Sequence, residues 1–266
     1  MKKTLAIIGC GFLGNIVADA YKTGLLNGYE LIGAYSKTYE NAVKLTKSAG
    51  GTACHSIDEL LALKPDFLVE TASVQTVKDC AVKALLQGTT LVPLSIGAFA
   101  DKEFLKETKA AAQKGNAKIH IPSGAVGGFD VLQTVSLMAE AEGKNIRAGI
   151  ETRKGPASLK NTPLFDDALM TEEADRLVFS GTAAEAIALL PTKVNVAVAS
   201  ALATIGPEKA TAQITSVPEM AGDDHKITAE FDGIKAVVDI YSRTSSIAGW
   251  SVVALLRNLE SPIVFY

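Results

Sequence analysis

Three closely spaced glycines constrain the possible folds of this chain more than any other feature. Gly9, Gly11 and Gly14 separate an apolar run at residues 4–8 from a helical pattern, and a second apolar run follows at 30–35. Strand, turn, helix and strand therefore fit within about thirty residues, the length of a βαβ unit. In such a unit, glycines allow a tight bend, a close approach of backbone to a pyrophosphate, and close helix packing. A ligand-free turn has the same spacing, but the flanking elements favour dinucleotide binding.

Strand and helix patterns continue to alternate up to residue 121. The predicted strands after the first two are 66–70, 89–94 and 117–121, and the predicted helices are 39–48, 56–61, 74–87 and 101–114. Repeated alternation of this kind predicts a parallel sheet covered by helices on both faces. Residues 1–121 are therefore predicted to form a doubly wound Rossmann domain of the α/β class.

The regular alternation of strand and helix patterns stops after Pro122, where a glycine-rich segment begins. The predicted strands there are 146–152, 211–217, 225–231 and 234–241, and the predicted helices are 131–142, 182–190 and 194–204. Strands in succession predict an open mixed sheet, mainly antiparallel, in a second α+β domain. This domain is assigned residues 122–243, with roles in substrate binding, catalysis and dimerisation. The segment 244–266 contains an amphipathic helical pattern suited to packing back on either domain, the first included.

The bulk composition excludes several classes of partner. The chain has 26 basic and 29 acidic residues, so its net charge of −3 favours neither nucleic acid nor an anionic membrane surface. No apolar stretch approaches the roughly 20 residues that a membrane helix needs. Three cysteines do not suggest a disulfide framework, and no cluster has metal-ligand spacing. These features predict a cytoplasmic protein without a metal.

The end of the second predicted strand bears on the identity of the dinucleotide. An Asp or Glu usually stands there and binds the adenosine ribose hydroxyls. This chain has Tyr35, Ser36 and Lys37 instead. A hydroxyl and a cation suit a 2′-phosphate, so the sequence predicts that NADP is accepted and leaves open whether it is preferred over NAD. The alternative is that Lys37 is a solvated loop residue.

Histidine is scarce in this chain, so each of the three is informative. His55 is predicted to lie in a surface loop, and His120 to be a structural residue of a short strand. His225 follows two aspartates and precedes a lysine at the entry to a predicted strand. That setting suits an imidazole with a pKa near neutrality that transfers protons, and it equally suits a solvated charged turn. With no metal cluster, the expected chemistry is hydride transfer by the nicotinamide cofactor.

Beyond the glycine turn, six segments carry a more specific pattern: LVETAS (68–73), LSIGAFAD (94–101), PSGAVGGFD (122–130), FSGTAAEAIALLPTKVNVAVA (179–199), PEMAGDDHKI (218–227) and TSSIAGWSVVALLRNLES (244–261). In this order, and over nearly the whole chain, they resemble the L-aspartate dehydrogenase family. The resemblance implies an NAD(P)-dependent enzyme that interconverts L-aspartate and iminosuccinate. The imine hydrolyses to oxaloacetate and ammonia, or feeds NAD biosynthesis. The resemblance also implies a homodimer and a Rossmann domain followed by an α/β domain.

The resemblance further implies roles for individual residues. His225 aligns with the family's catalytic histidine. Cofactor contacts are implied for the three glycines of the turn, for the backbone amides of Phe12 and Leu13, and for Ala72, Ser73, Gly97, Ala98, Ala125 and Asn195. A substrate with two carboxylates needs cations and hydroxyl groups. The candidates for that task are Lys193, Arg243, Thr244 and Ser245.

Three positions depart from the family pattern, all near the expected substrate region. Asp223 replaces an asparagine, and its carboxylate is expected either to raise the pKa of His225 or to repel an acidic substrate. Arg243 replaces a lysine, and Val217 replaces an acidic residue. These changes keep two alternatives open: an NAD(P)-dependent oxidoreductase for another amino acid, oxo acid or sugar-derived substrate, and a non-catalytic NAD(P)-binding sensor.

Overall fold

The fold is described from a computed structural model, which covers residues 2–191 and 194–265. The chain divides into two compact units. The first runs to Gly124 and includes Ser246–Phe265, and the second is Ala125–Ser245.

The first unit is built on a five-stranded parallel sheet. Its elements are β1 (Lys3–Ile8), α1 (Phe12–Lys22), β2 (Tyr29–Tyr35), α2 (Tyr39–Ala49), β3 (Thr52–Cys54), α3 (Ile57–Ala62), β4 (Phe67–Glu70), α4 (Val74–Leu86), β5 (Thr90–Pro93), a 3-10 helix at Ile96–Ala100, and α5 (Lys102–Lys114). The strand order is β3-β2-β1-β4-β5. The chain thus builds outward from β1 to β3 and returns to the other side of β1, which creates a switch point between β1 and β4. The predicted Rossmann fold is confirmed.

The prediction of a regular strand at 117–121 is wrong. It forms a single bridge between Leu91 and Ile119, with His120 N–H donating to the Leu91 carbonyl at 2.9 Å. The next donor along the segment would be residue 122. Because Pro122 has no amide hydrogen, the pairing ends there.

The second unit is built on a five-stranded mixed sheet. Its elements are α6 (Phe129–Ala141), β6 (Arg147–Lys154), 3-10 helices at Pro156–Leu159 and Asp167–Met170, β7 (Arg176–Thr182), α7 (Ala183–Leu189), α8 (Asn195–Leu202), β8 (Thr211–Ser216), β9 (Asp223–Phe231) and β10 (Ile234–Ser242). The order is β10-β9-β6-β8-β7. Only β6 and β8 pair in parallel, and the other neighbours are antiparallel. The open mixed sheet is therefore confirmed.

One strand of this sheet, β7, was not predicted from the sequence. It is an edge strand that pairs with β8 alone, and none of its residues is fully buried. A strand without a buried face has no apolar alternation to reveal it. The inner strands are different, because one face of them is apolar and packs against α6 and α8. The buried residues of this apolar face include Ala148, Ile150, Ala212, Ile214, Ile227, Ala229 and Phe231.

The last helix, α9 (Ser246–Glu260), belongs to the first unit and packs on α1. A Cβ on Gly249 would lie 2.9 Å from the Ile16 side chain, so the glycine lets the two helices approach closely. The Tyr29 hydroxyl donates to the Leu256 carbonyl at 2.9 Å, which ties the helix to the sheet. Among the described residues, no helix is long and apolar enough to cross a membrane.

Candidate active site

The glycine turn joins β1 to α1, and its three glycines have different surroundings. A Cβ on Gly9, where φ is +93°, would lie 2.8 Å from the Thr71 backbone, and a Cβ on Gly14 would overlap the Gly9 carbonyl oxygen. A Cβ on Gly11 would meet nothing within 4 Å. Two glycines are therefore required by packing, while the third borders open space that an added side chain would fill.

The start of α1 faces the same turn. Gly11 is the N-cap residue and supplies no side-chain hydrogen bond to the first helical turn, which also carries no acidic residue. The first-turn amides, including those of Phe12 and Leu13, have no acceptor within the helix. Open space beside unpaired amides at the positive end of a helix fits a dinucleotide pyrophosphate.

The carboxyl ends of the parallel strands bring other predicted cofactor residues to this edge. In the sheet register, Ile8 pairs with Tyr35 and with Glu70, and Glu70 pairs with Pro93. The segments that follow these strands contain Ser36 and Lys37, Ala72 and Ser73, and Gly97 and Ala98. Lys37 and Ala72 are exposed, whereas Ser36 and Ser73 are half-buried. Gly97 and Ala98 lie in the 3-10 helix and are buried.

Glu70, which sequence reasoning missed, organises two of these segments. Its carboxylate is completely buried at the end of β4. One oxygen accepts hydrogen bonds from the amides of Ala72 and Ser73 and from the Ser95 hydroxyl, and the other accepts from the Ser95 amide, at 2.7–3.1 Å. Burial raises the pKa of Glu70, and these hydrogen bonds oppose the rise. The sequence did contain a signal for this role, because Glu70 is an acidic residue at the end of an otherwise apolar strand.

A cluster of polar residues, most of them buried, occupies one end of the second unit's sheet. The covered face of β6, β8 and β9 is apolar along most of its length and becomes polar where these strands reach Lys154, Ser216 and Asp223. We call this the polar end, and it consists of Thr152, Lys154, Ser216, Asp223 and His225. Buried polar groups need partners, and the register supplies them across the strands.

His225 is only 3% exposed and lies within β9, opposite Thr152 of β6. The Thr152 hydroxyl oxygen lies 3.0 Å from the His225 Nδ1. Burial lowers the pKa of His225 to about 4, although Asp223 acts to raise it and Lys154 acts to lower it. The expectation of a pKa near neutrality, raised by Asp223, is therefore wrong in its net direction, because burial outweighs that carboxylate.

Lys154 explains why Asp223 has a limited effect. Its Nζ lies 3.1 Å from Asp223 Oδ2, in an ion pair whose lysine side chain is only 4% exposed. Sequence reasoning missed Thr152 and Lys154. The signal was present, because polar residues follow Ala148 and Ile150 on the buried alternation of β6.

The remaining predicted residues of the second unit are more dispersed. Ala125 precedes α6 in a half-buried segment, and Asn195 is the first residue of α8. Arg243, Thr244 and Ser245 follow β10 and are exposed. Lys193 lies outside the described residues. Within the described part of the chain, no group of His, Cys, Asp and Glu side chains is placed to hold a metal ion.

The fold and the glycine turn define a dinucleotide-binding protein of the α/β class. The comparisons with known proteins make the assignment specific. Residues 9–122 match the family model "Homoserine dehydrogenase, NAD binding domain", and residues 135–259 match "Aspartate dehydrogenase, C-terminal". The chain belongs to the L-aspartate dehydrogenase family.

Individual relatives agree with this assignment over the full length. The L-aspartate dehydrogenase of Methanococcus maripaludis is 34% identical, and that of Methanosarcina barkeri is 31% identical, each over 97% of both chains. The crystal structure of aspartate dehydrogenase from Thermotoga maritima is 27% identical, covers 100% of both chains and superposes with a TM-score of 0.78. The protein is accordingly an oxidoreductase with a nicotinamide dinucleotide as its cofactor, as the sequence resemblance predicted.

Proposed function

We propose that this protein catalyses the NAD(P)-dependent oxidation of L-aspartate to iminosuccinate, and the reverse reductive amination. The observation that carries the proposal is His225, held by Thr152 and set beside the cation of Lys154 in a chain of this family. A non-catalytic sensor would not require a buried imidazole with this support. Residues 125–245 accordingly bind the substrate, and the first unit binds the cofactor.

The residues of the polar end suit the proton transfers of this reaction. The bound nicotinamide supplies the chemistry of hydride transfer. Oxidation of the amine also releases a proton, so a base is needed. With its pKa lowered to about 4, His225 is neutral at pH 7, which is the protonation state that a general base requires. When Nδ1–H donates to Thr152, the lone pair of Nε2 remains free for this role.

Initial-rate assays test the proposal directly. Oxaloacetate and ammonia are supplied together with NADH or NADPH, alongside other oxo acids and carbonyl compounds. The expected result is oxidation of the reduced cofactor that depends on both oxaloacetate and ammonia. Turnover only with a different carbonyl compound would reject L-aspartate as the substrate. Stoichiometric nucleotide binding with no turnover of any compound would favour the sensor.

We propose further that NADP is accepted through Ser36 and Lys37. Lys37 is exposed and lies two residues after β2, whose last residue pairs with Ile8 beside the glycine turn. Lys37→Ala is expected to raise the KM for NADPH by about tenfold, because it removes a charged hydrogen bond to the 2′-phosphate. The KM for NADH should change less than twofold.

Steady-state kinetics with both cofactors measure this difference. Lys47→Ala, which removes a lysine from the last turn of α2, is the matched control and should change neither KM. If Lys37→Ala changes the KM equally for both cofactors, or for neither, Lys37 is a solvated loop residue and does not bind the 2′-phosphate.

We propose, finally, that the protein is a homodimer located in the cytoplasm. The family resemblance supports the dimer, and three buried, free cysteines (Cys10, Cys54 and Cys80) suit a reducing compartment. Light scattering during gel filtration should give twice the 27.8 kDa of one chain. A mass equal to one chain at micromolar concentration would contradict the dimer.

A further inference from the structure

The ammonium group of Lys154 is buried in a way that requires a reason. Only 4% of its side chain is exposed, and it lies on the covered face of the sheet, next to the strand that carries His225. Removing an ammonium ion from water is costly, and a single ion pair often fails to offset that cost. A purely structural role would be served as well by an apolar residue, as at Ile150 on the same face.

The hydrogen-bonding capacity of Lys154 is also larger than its observed use. An ammonium group has three donors. Within residues 2–191 and 194–265, the ion pair recorded for Lys154 is the one to Asp223, at 3.1 Å. The Asp223 side chain is 37% exposed, so the pair is open to solvent on the carboxylate side. A second carboxylate can therefore approach from the exposed side of Asp223 and accept a hydrogen bond from the Lys154 ammonium.

We propose that Lys154 binds one carboxylate of the substrate, and that Asp223 is a built-in carboxylate that holds the ammonium in place and competes with the substrate for it. The inference rests on the proposed function and names the residue that selects a dicarboxylate. It assigns this task to the polar end rather than to the exposed Arg243. It also gives Asp223, a departure from the family pattern, a defined role.

Lys154→Met tests the first half of the inference. The variant keeps a long apolar stem and removes the charge, so the KM for L-aspartate should rise about 100-fold, as expected when one partner of a buried charge pair is truncated. The KM for the cofactor should stay within twofold. Lys154→Arg should recover part of the loss. Arg153→Met is the matched control, because Arg153 is the preceding residue, is exposed and pairs with Asp175.

Asp223→Asn tests the second half, and its expected effect has the opposite sign. Without the competing carboxylate, the ammonium is left for the substrate, and the KM for L-aspartate should fall several-fold. A merely structural ion pair predicts the reverse, since removing Asp223 would strand a buried charge and weaken binding. A KM that rises in both variants would therefore overturn the inference, as would an unchanged KM in Lys154→Met.

A binding measurement that needs no turnover separates this inference from the proposed function. Succinate, a dicarboxylate without an amine, is titrated into the wild-type protein and into both variants by calorimetry, with circular dichroism as a check of folding. Succinate should bind the wild type, bind Asp223→Asn more tightly and fail to bind Lys154→Met. If L-aspartate is not oxidised but this ranking holds, the proposed reaction fails and the carboxylate site stands. If L-aspartate is oxidised and the three proteins bind succinate equally, only the inference at Lys154 fails.

Discussion

Replacing His225 with alanine is expected to lower kcat for L-aspartate oxidation by about 100-fold to 10,000-fold, the usual contribution of a positioned general base. The imidazole is buried and is held by the Thr152 hydroxyl, so alanine removes both the base and the contact that positions it. Cofactor binding, followed by the fluorescence of the reduced nicotinamide, should persist. Thr152→Val should give a smaller loss, because the imidazole remains but loses the hydrogen bond that orients it.

The control for this substitution is Lys226→Gln. Lys226 is the next residue of β9, and its exposed side chain lies on the opposite face. This variant should retain the wild-type kcat. Unchanged turnover in His225→Ala, with wild-type turnover in the control, would remove His225 from the mechanism.

The pH dependence of stability gives a second readout of the same imidazole. The pKa of His225 is lowered from 6.5 to about 4 in the folded protein, so between these values the unfolded chain binds a proton that the folded chain does not. The free energy of unfolding should therefore decrease as the pH falls through this window, by up to about 1.4 kcal/mol per pH unit from this residue. Urea unfolding of the wild type and of His225→Gln should show a steeper decrease in the wild type, because the variant keeps only the pH dependence of the other titrating groups. Equal slopes would contradict the lowered pKa.

Two alanine substitutions in the glycine turn are expected to have opposite profiles. Gly11→Ala adds a methyl group where nothing lies within 4 Å and where φ is −87°, which alanine readily adopts. Stability should change by less than about 1 kcal/mol, the usual cost at an N-cap. Cofactor binding should weaken by about 100-fold, because the methyl group occupies the space where the backbone approaches the pyrophosphate.

Gly14→Ala should instead damage the fold. Its methyl group would overlap the Gly9 carbonyl oxygen, and backbone atoms cannot move aside as a flexible side chain can. Destabilisation of about 3 kcal/mol or more is expected from such overpacking. Thermal unfolding and titration with NADH measure the two effects in both variants. A stable Gly11→Ala that binds NADH as the wild type does would contradict the assignment of the turn to the pyrophosphate.

Much of the first unit was predictable because its signals are local. The glycine spacing and the buried strands each depend on residues within a few positions of one another. Failures occurred where local signals were absent or misleading. The edge strand β7 has no buried face, and Pro122 ended a pairing that the preceding residues favoured.

The sequence by itself determined the alternation of strand and helix, the glycine turn and the family to which the chain belongs. It also singled out His225, since histidine is rare here and stands in a motif of that family. Only the tertiary structure decided what surrounds this imidazole. Thr152 and His225 are 73 positions apart, and Lys154 and Asp223 are 69 apart, yet the register of β6 against β9 pairs both. Burial and charge at one point depend on segments distant in sequence, which is why the direction of the His225 pKa shift and the position of Lys154 required the fold.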